Sequence, residues 1–310
     1  MNLSVLDLVP VLDGTDAAAA LEQAVDLART AERLGYRRYW VAEHHDIPGL
    51  ACSAPEILLS HIGARTTSIR IGSGALLLPH YKPLKVAESF HMLASLYPDR
   101  VDLGLGRAPG GSGEASLALS GNFIENVGKM PELLQGVMDL LQGKYEFDGR
   151  PVTARPIPPR PPEPWLLGTN KKSAAYAAEY GTGYVFGRFM SETSGEETIQ
   201  AYREAFVPSP LCPEPKVIVA IGIVCAETEE EAERLASAAM RSFGSTGMED
   251  QPTHLPERRL LIGTPDRVEN QLESLACLYG VDEFIVMTMV PDYRARLRSY
   301  ELLGEIMQRK

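Results

Sequence analysis

Short apolar runs alternate with amphipathic stretches along the whole chain. The apolar runs predict strands over residues 3–9, 38–42, 69–78, 101–105, 165–167, 183–186, 217–224 and 283–288. The amphipathic stretches carry apolar residues near helical spacing. They predict helices over 17–34, 53–65, 83–96, 131–141, 171–180, 196–206 and 228–241, with further helices opened by Thr264-Pro265 and by Tyr293.

Strands that alternate with helices are typical of parallel sheets joined by crossover helices. Eight such units predict an α/β fold of the (β/α)8 barrel type, and a doubly wound open sheet is the alternative. The chain has 310 residues, which fits a barrel of about 250 residues with insertions. No composition break divides it, so we predict a single domain over 1–310. The proline-rich segment Pro151 to Pro164 is interpreted as an extended connector, or else as a ligand for a proline-recognising domain.

Composition narrows the class of protein. Hydrophobic residues make up 45% and charged residues 23% of the chain, which is typical of a soluble globular protein rather than a disordered one. The formal net charge of −11 argues against nucleic acid as the main partner. The longest stretch without a charged residue is 71–81, which is too short to span a membrane, and no secretory signal begins the chain.

The spacing of the cysteines and histidines argues against a disulfide-bonded protein and against a metal-binding protein. The four cysteines lie far apart and predict reduced thiols in a cytoplasmic protein rather than disulfides; they are Cys52, Cys212, Cys225 and Cys277. No His-x-His pair is present, and the histidines and cysteines together offer no convincing metal cluster. We therefore predict no metal site.

The second predicted strand ends in Glu43-His44-His45. Because side chains alternate along a strand, at most one of the two histidines should face the mouth of the barrel. Barrel active sites lie at that end, and an imidazole there can exchange protons near neutral pH. The alternative is a pair of loop histidines that meet water or a neighbouring carboxylate.

Glycines and one arginine mark the next two strands. Gly72 and Gly74 weaken a strand, so they indicate either close approach of a flat ligand or tight barrel packing. The run Gly104-Leu105-Gly106-Arg107 is not a dinucleotide fingerprint, because Pro109 replaces its third glycine. Arg107 at the strand end is a candidate ligand for an anion or cofactor, or else forms a surface salt bridge.

The segment after the fifth strand reads Gly168-Thr169-Asn170-Lys171-Lys172-Ser173. Thr169 or Asn170 can cap the following helix, whose free amides can bind a phosphate. Ser173 and the lysines could add contacts. The alternative is a capped helix with solvated lysines.

Together these segments resemble the bacterial luciferase-like flavin-dependent monooxygenases, in particular a branch of uncharacterised single-barrel oxidoreductases. The resemblance rests on five motifs in register, at 40–45, 71–79, 104–110, 168–175 and 262–265. It implies a (β/α)8 barrel with FMN at the carboxyl-terminal mouth. His44 would then act as general acid or base beside the flavin, and Gly74-Ala75 would form a non-proline cis peptide under its ring.

The resemblance also implies the remaining cofactor contacts. Arg107 would contact the flavin or its phosphate. The phosphate end would consist of Leu167, Gly168, Thr169, Asn170 and Ser173. One departure is that no arginine occurs between residues 108 and 129, where family members often carry one for the phosphate. Lys129 could substitute as a point charge.

The implied function is an FMN-dependent monooxygenase that uses reduced FMN and O2 on a small organic substrate. A separate NAD(P)H:flavin reductase would supply the reduced FMN, and relatives often pair as homodimers. The alternatives are a deazaflavin-dependent hydride-transfer enzyme and a non-catalytic flavin-binding protein. The polar segment 243–261, an insertion before the eighth strand unit, is interpreted as a lid, an ordinary surface excursion or a subunit contact.

Overall fold

A computed structural model describes residues 1–244 and 260–309, except for the side chains of residues 242–244. Its strands are β1 Asn2–Asp7, β2 Arg38–Val41, β3 Arg70–Ser73, β4 Leu76–Leu77, β5 Val101–Gly106, β6 Glu146–Phe147, β7 Arg150–Pro151, β8 Glu163–Gly168, β9 Gly183–Gly187, β10 Val217–Cys225, β11 Leu260–Gly263 and β12 Glu283–Met287. Its helices are α1 Ala17–Leu34, α2 Pro55–Gly63, α3 Pro83–Leu96, α4 Gly113–Ser120, α5 Phe123–Gly128, α6 Met130–Leu141, α7 Lys171–Glu179, α8 Gly195–Ala205, α9 Glu229–Gly244, α10 Pro265–Tyr279 and α11 Tyr293–Gln308.

Eight parallel strands close into a barrel. They pair in the order β1-β2-β3-β5-β8-β9-β10-β12, and β12 pairs with β1 to complete the ring. The helices follow the strands in alternation, as the amphipathic pattern predicts. The (β/α)8 prediction is therefore confirmed, and the open-sheet alternative is wrong because β12 returns to β1.

The third predicted strand, 69–78, differs from the structure. β3 ends at Ser73, a cis peptide bond joins Gly74 to Ala75, and β4 then resumes pairing with β5. Residues Leu78–His80 form a turn of 3-10 helix. The apolar run continues through this interruption, so hydrophobicity alone could not reveal it.

Several short elements were not predicted. α4 and α5 occupy the loop after β5, and β6 pairs with β7 in an exposed hairpin. β11 pairs with the last residues of β10, beyond the point where β9 pairs with that strand. Within the segment 243–261, residues 245–259 lie outside the described residues, so the lid interpretation stays a prediction.

Local chemistry explains where the helices begin and end. Asp16 caps α1 through the Ala19 amide at 2.8 Å, and Gly35 ends it with a φ of 85°, a conformation that glycine adopts without steric cost. Pro55 and Pro83 open α2 and α3, where a missing amide donor costs nothing. None of the helices within the described ranges is long and apolar enough to cross a bilayer.

Two tryptophans fill the middle of the barrel. The rings of Trp40 and Trp165 meet edge to face, with centroids 5.8 Å apart. A Cβ at Gly72 would lie 2.7 Å from the Trp40 indole nitrogen, and one at Gly183 would lie 2.3 Å from the Trp165 ring. Glycines in these strands therefore make room for the indoles, so tight packing rather than a flat ligand explains Gly72.

Candidate active site

A cavity of about 460 Å³ opens at the carboxyl-terminal end of the barrel, within the range of roughly 300–1,000 Å³ usual for ligand pockets. Every site residue predicted from the sequence lines it: His44, Gly74, Ala75, Arg107, Leu167, Gly168, Thr169, Asn170 and Ser173. These residues come from the ends of four neighbouring strands. The barrel closure therefore gathers in one place motifs that are far apart in the sequence.

His44 faces this cavity just beyond the end of β2. Its backbone amide donates to the Cys52 carbonyl at 2.9 Å, and its ring Nδ1 is buried with no hydrogen-bond partner. Burial lowers the pKa of His44 to about 4, the neighbouring His45 contributes in the same direction, and the Ala42 carbonyl opposes them. At neutral pH the imidazole is therefore uncharged, and one of its ring nitrogens has no hydrogen-bond partner among the described residues.

His45 points to the other side of the segment and meets a carboxylate. Its Nε2 lies 2.8 Å from Oε1 of Glu43, and the Tyr81 hydroxyl donates to the same oxygen at 2.9 Å. The prediction that only one histidine faces the mouth is therefore supported by the geometry. His45 follows the alternative interpretation, a loop histidine paired with a carboxylate.

Glu43 also lines the cavity, although the sequence reasoning did not single it out as a site residue. Its backbone amide donates to the Ala75 carbonyl at 3.2 Å, and its Oε2 accepts the Leu77 amide at 2.8 Å. These two bonds bracket the Gly74–Ala75 peptide from one side. A buried carboxylate needs such partners, but the sequence does not show which backbone amides supply them.

The cis peptide bond at Gly74–Ala75 occurs at the position that the resemblance implied. The Gly74 amide donates to the Val41 carbonyl at 2.8 Å. Opposite lies Gly106, where a Cβ would come within 2.9 Å of the Ala75 Cβ. Small residues on both strands therefore keep this part of the cavity floor open to a flat group.

Arg107 lines the cavity directly after β5, and its side chain is half-buried. Within residues 1–244 and 260–309, its guanidinium makes no hydrogen bond or ion pair. It is thus a cation available to an anionic ligand, and the surface salt bridge considered above is wrong. Lys129, the expected substitute for the arginine that family members carry between residues 108 and 129, pairs instead with the exposed Glu125 and does not line the cavity.

Asn170 begins α7 with a capping box. Its Oδ1 accepts the amides of Lys172 at 3.1 Å and Ser173 at 3.2 Å, while the Ser173 hydroxyl accepts the Asn170 amide at 3.3 Å. A Cβ at Gly168 would lie 2.1 Å from the Ser173 hydroxyl, so glycine is required for this close approach. Asn170, rather than Thr169, is therefore the cap. Phosphate binding by this segment stays a prediction.

The opposite side of the cavity is apolar, and we call it the apolar half. It is formed by β9, β10, β12 and β1, with contributions from α9 and β11. Its residues are Leu6, Leu8, Val185, Gly187, Phe189, Met190, Ala220, Val224, Ala239, Met240, Leu260, Met287 and Met289. The sequence analysis named none of them, although the inward-facing positions of the last strands were a usable signal.

Comparison with known proteins agrees with this geometry. The model of the luciferase-like monooxygenase family matches residues 1–282. The chain belongs to the luciferase-like monooxygenases. Among family relatives, the uncharacterized protein YwcH of Bacillus subtilis is 41% identical, over 98% of both chains. The N-acetyl-S-alkylcysteine monooxygenase of Bacillus subtilis is 33% identical, also over 98% of both chains.

Several solved structures share the barrel. The crystal structure of apo-MsnO8 is 38% identical, covers 99% of this chain and 98% of its own, and has a TM-score of 0.89. More distant barrels hold different cofactors. The oxygenating constituent of 3,6-diketocamphane monooxygenase from Pseudomonas putida contains FMN (18% identity, TM-score 0.75), and a secondary alcohol dehydrogenase contains F420 (16%, 0.73). At these identities the likeness establishes the fold only, so the fold does not choose the cofactor.

Proposed function

We propose that this protein is an FMN-dependent monooxygenase acting on a small organic substrate, supplied with reduced FMN by a separate NAD(P)H:flavin reductase. The two electrons of reduced FMN and one O2 would place one oxygen atom in the substrate and release the other as water. The observation that carries the proposal is the single cavity shared by an uncharged His44 whose Nδ1 has no hydrogen-bond partner, an unpaired Arg107 and the small residues Gly74 and Ala75.

The residues present fit FMN. The Arg107 guanidinium has no partner in the described part of the chain and suits an anion. The segment 168–173 adds polar groups next to the start of α7, where a phosphate is favoured. Gly74, Ala75 and Gly106 leave space for the ring system. Bound in its reduced form, FMN would supply the electrons and the site of reaction with O2.

The chain contributes orientation, exclusion of water and a proton-handling group. His44, with its pKa lowered to about 4 by burial, offers an uncharged imidazole that can accept a hydrogen bond or a proton at Nδ1. The apolar half keeps water from the side of the cavity where the substrate would lie. Glu43 positions the Ala75–Leu77 backbone through its hydrogen bonds.

Equilibrium titration tests the cofactor. We expect FMN to bind more tightly than F420 to the purified protein, followed by flavin absorbance and fluorescence. The variant Arg107→Ala should bind FMN at least about tenfold more weakly, since it loses a charge-assisted contact. The matched control is Arg160→Ala, because Arg160 is exposed and pairs with Asp99. Riboflavin, which lacks the phosphate, tells whether Arg107 acts on the phosphate or on the ring.

Three outcomes would change the proposal. Preferential binding of F420 would replace it with hydride transfer by a deazaflavin. Equal FMN affinity in Arg107→Ala and in the parent protein would remove Arg107 from the site. A His44→Ala variant that oxidises reduced FMN just as the parent does would favour a non-catalytic flavin-binding protein.

Nicotinamide oxidation tests the need for a reductase. The purified protein with FMN and NADH or NADPH should show no more nicotinamide oxidation than FMN alone. Addition of an NAD(P)H:flavin reductase should start flavin reduction, which the protein then uses. Rapid nicotinamide oxidation by the purified protein alone would contradict a separate reductase.

A further inference from the structure

The polar and apolar residues of the cavity lie on separate sides. Its charged lining side chains, Glu43 and Arg107, both lie on the side of β2–β8. In the apolar half, no lining residue within the described ranges carries a charged or hydrogen-bonding side chain. The cavity therefore has one side for a polar ligand and another for an apolar one.

The charge on the polar side is not available to a ligand in the apolar half. Glu43 has three hydrogen-bonding partners, namely Leu77, Tyr81 and His45. Arg107 lies across the cavity on the end of β5. A charged group that entered the apolar half would lose its hydration without gaining a partner from the described residues that line it, which is unfavourable.

Methionine is the commonest residue type in the wall of the apolar half. Met190, Met240, Met287 and Met289 all line it. Methionine side chains are unbranched, flexible and polarizable, so they adapt to irregular apolar shapes and contact aromatic rings favourably. Val185 and Ala220 also line the cavity, and together with Ile285 they belong to the same buried apolar cluster as Trp40 and Trp165. The wall is therefore adaptable at its surface and firmly packed behind.

We propose that the apolar half is the substrate chamber and that it selects an uncharged molecule with an extended alkyl or aromatic part. This inference rests on the proposed function, which assigns the polar side to FMN. The transfer of oxygen is the one stated above and needs no further reactant. His44 lies at the boundary, since β2 is the neighbour of β1, so the reacting end of the substrate would lie beside His44 and its apolar part against the methionines.

A matched pair of ligands tests the chamber. The probes are 2-decanone and 9-oxodecanoate, which share the methyl ketone and the chain length but differ in a terminal methyl or carboxylate. Calorimetric titration of the FMN-loaded protein should give at least about tenfold tighter binding of 2-decanone, because the carboxylate has no partner there. Equal affinities, or tighter binding of 9-oxodecanoate, would overturn the proposal.

A substitution in the wall sharpens the test. Met289→Lys places a cation in the apolar half and should reverse the preference toward 9-oxodecanoate. The control is Met92→Lys on α3, where the methionine is 53% exposed and does not line the cavity; it should keep the preference for 2-decanone. Reversal in both variants would contradict the assignment of the apolar half as the substrate chamber. If Met289→Lys does not fold, the titration of the parent protein with the two ligands still tests the proposal.

FMN binding is measured separately, so that the two proposals can fail independently. If FMN does not bind, the proposed function fails. The same ligand pair titrated against the protein without FMN then still reports on the chamber. If FMN binds and the preference for 2-decanone is absent, only the chamber proposal fails.

Discussion

The two ends of the barrel interior hold charge in opposite ways. At the amino-terminal end, Arg38 donates to Asp102 and to Glu283, both at 2.9 Å, and Arg70 adds a second cation on Asp102. At the carboxyl-terminal end, Arg107 and His44 line the cavity without side-chain partners in the described residues. The amino-terminal end satisfies these charges internally, whereas at the carboxyl-terminal end Glu43 is paired but Arg107 and Nδ1 of His44 are left for a ligand.

Burial shifts the pKa of titratable groups at both ends of the barrel, but neighbouring charges decide whether the group is ionised at neutral pH. Burial alone would raise the pKa of Asp102, yet Arg38 and Arg70 outweigh it and lower that pKa, so the carboxylate stays ionised. His44 has no such compensating partner, and burial keeps it neutral. Paired charges of this kind indicate a structural role, whereas unpaired polar groups in a cavity are typical of functional sites.

The largest loss of stability is expected when a charge at the amino-terminal end of the barrel is removed. Asp102→Ala leaves the buried guanidinium of Arg38 and the half-buried one of Arg70 short of a partner and should lower the free energy of unfolding by about 3–5 kcal/mol, measured by urea denaturation. The control is Glu125→Gln, which breaks the exposed pair with Lys129 and should cost at most about 1 kcal/mol. Equal losses in the two variants would contradict the structural role of the buried pairs.

The pH dependence of stability tests whether the imidazole of His44, at the carboxyl-terminal end, is held neutral. Well above pH 6.5, His44 is neutral in both the folded and unfolded chains and adds no pH dependence. As the pH falls from 6.5 toward 4, the unfolded chain takes up a proton that the folded chain does not, so His44 lowers the stability. His44→Gln should therefore lose less stability than the parent over this range. Parallel stability curves for the two proteins would show that His44 is not held neutral.

A smaller loss of stability is expected when Glu43, which bonds to the segment that follows the cis peptide, is replaced. Glu43→Ala removes the acceptor of the Leu77 amide and should cost about 1–3 kcal/mol of stability, with weaker FMN binding because the Leu77 end of the segment that follows the cis peptide is no longer held. Tyr81→Phe removes only one donor to that carboxylate and is the milder comparison. If Glu43→Ala destabilised the protein and left FMN affinity and the bound-flavin spectrum unchanged, Glu43 would be structural only.

The smallest effect is expected at the start of α7. Asn170→Ala removes the cap and should cost about 0.5–2 kcal/mol. The double variant Asn170→Ala, Ser173→Ala should also weaken FMN binding and leave riboflavin binding unchanged. Ser194→Ala, which removes the equivalent cap of α8, controls for loss of a cap alone. Unchanged FMN affinity in the double variant would remove this segment from the phosphate site.

The fold could be predicted because its signals are local. The alternation of apolar strands with amphipathic helices is visible residue by residue, and the eight barrel strands follow from it. The break after Ser73 could not be predicted, because apolar residues continue through Leu78. β11 was missed because four residues beside a polar segment carry little periodicity of their own.

The candidate site was predictable where a motif marked it. His44, Arg107 and Asn170 follow strand ends, and barrel closure brings them together. The partner of a side chain depends instead on distant backbone, so the hydrogen bonds of Glu43 to Leu77 and Ala75 could not be anticipated. The apolar half was not predicted for another reason. In the sequence its methionines look like ordinary core residues, because only the closed barrel shows that they line a cavity.

The central claim is that the carboxyl-terminal cavity holds reduced FMN for reaction with O2, while the paired charges at the other end only support the barrel. The most direct test is rapid mixing of the protein loaded with reduced FMN against oxygenated buffer, followed by absorbance. The account predicts that the oxidised-flavin absorbance returns in a slow phase, far slower than with free reduced FMN. Return at the free-flavin rate would contradict it.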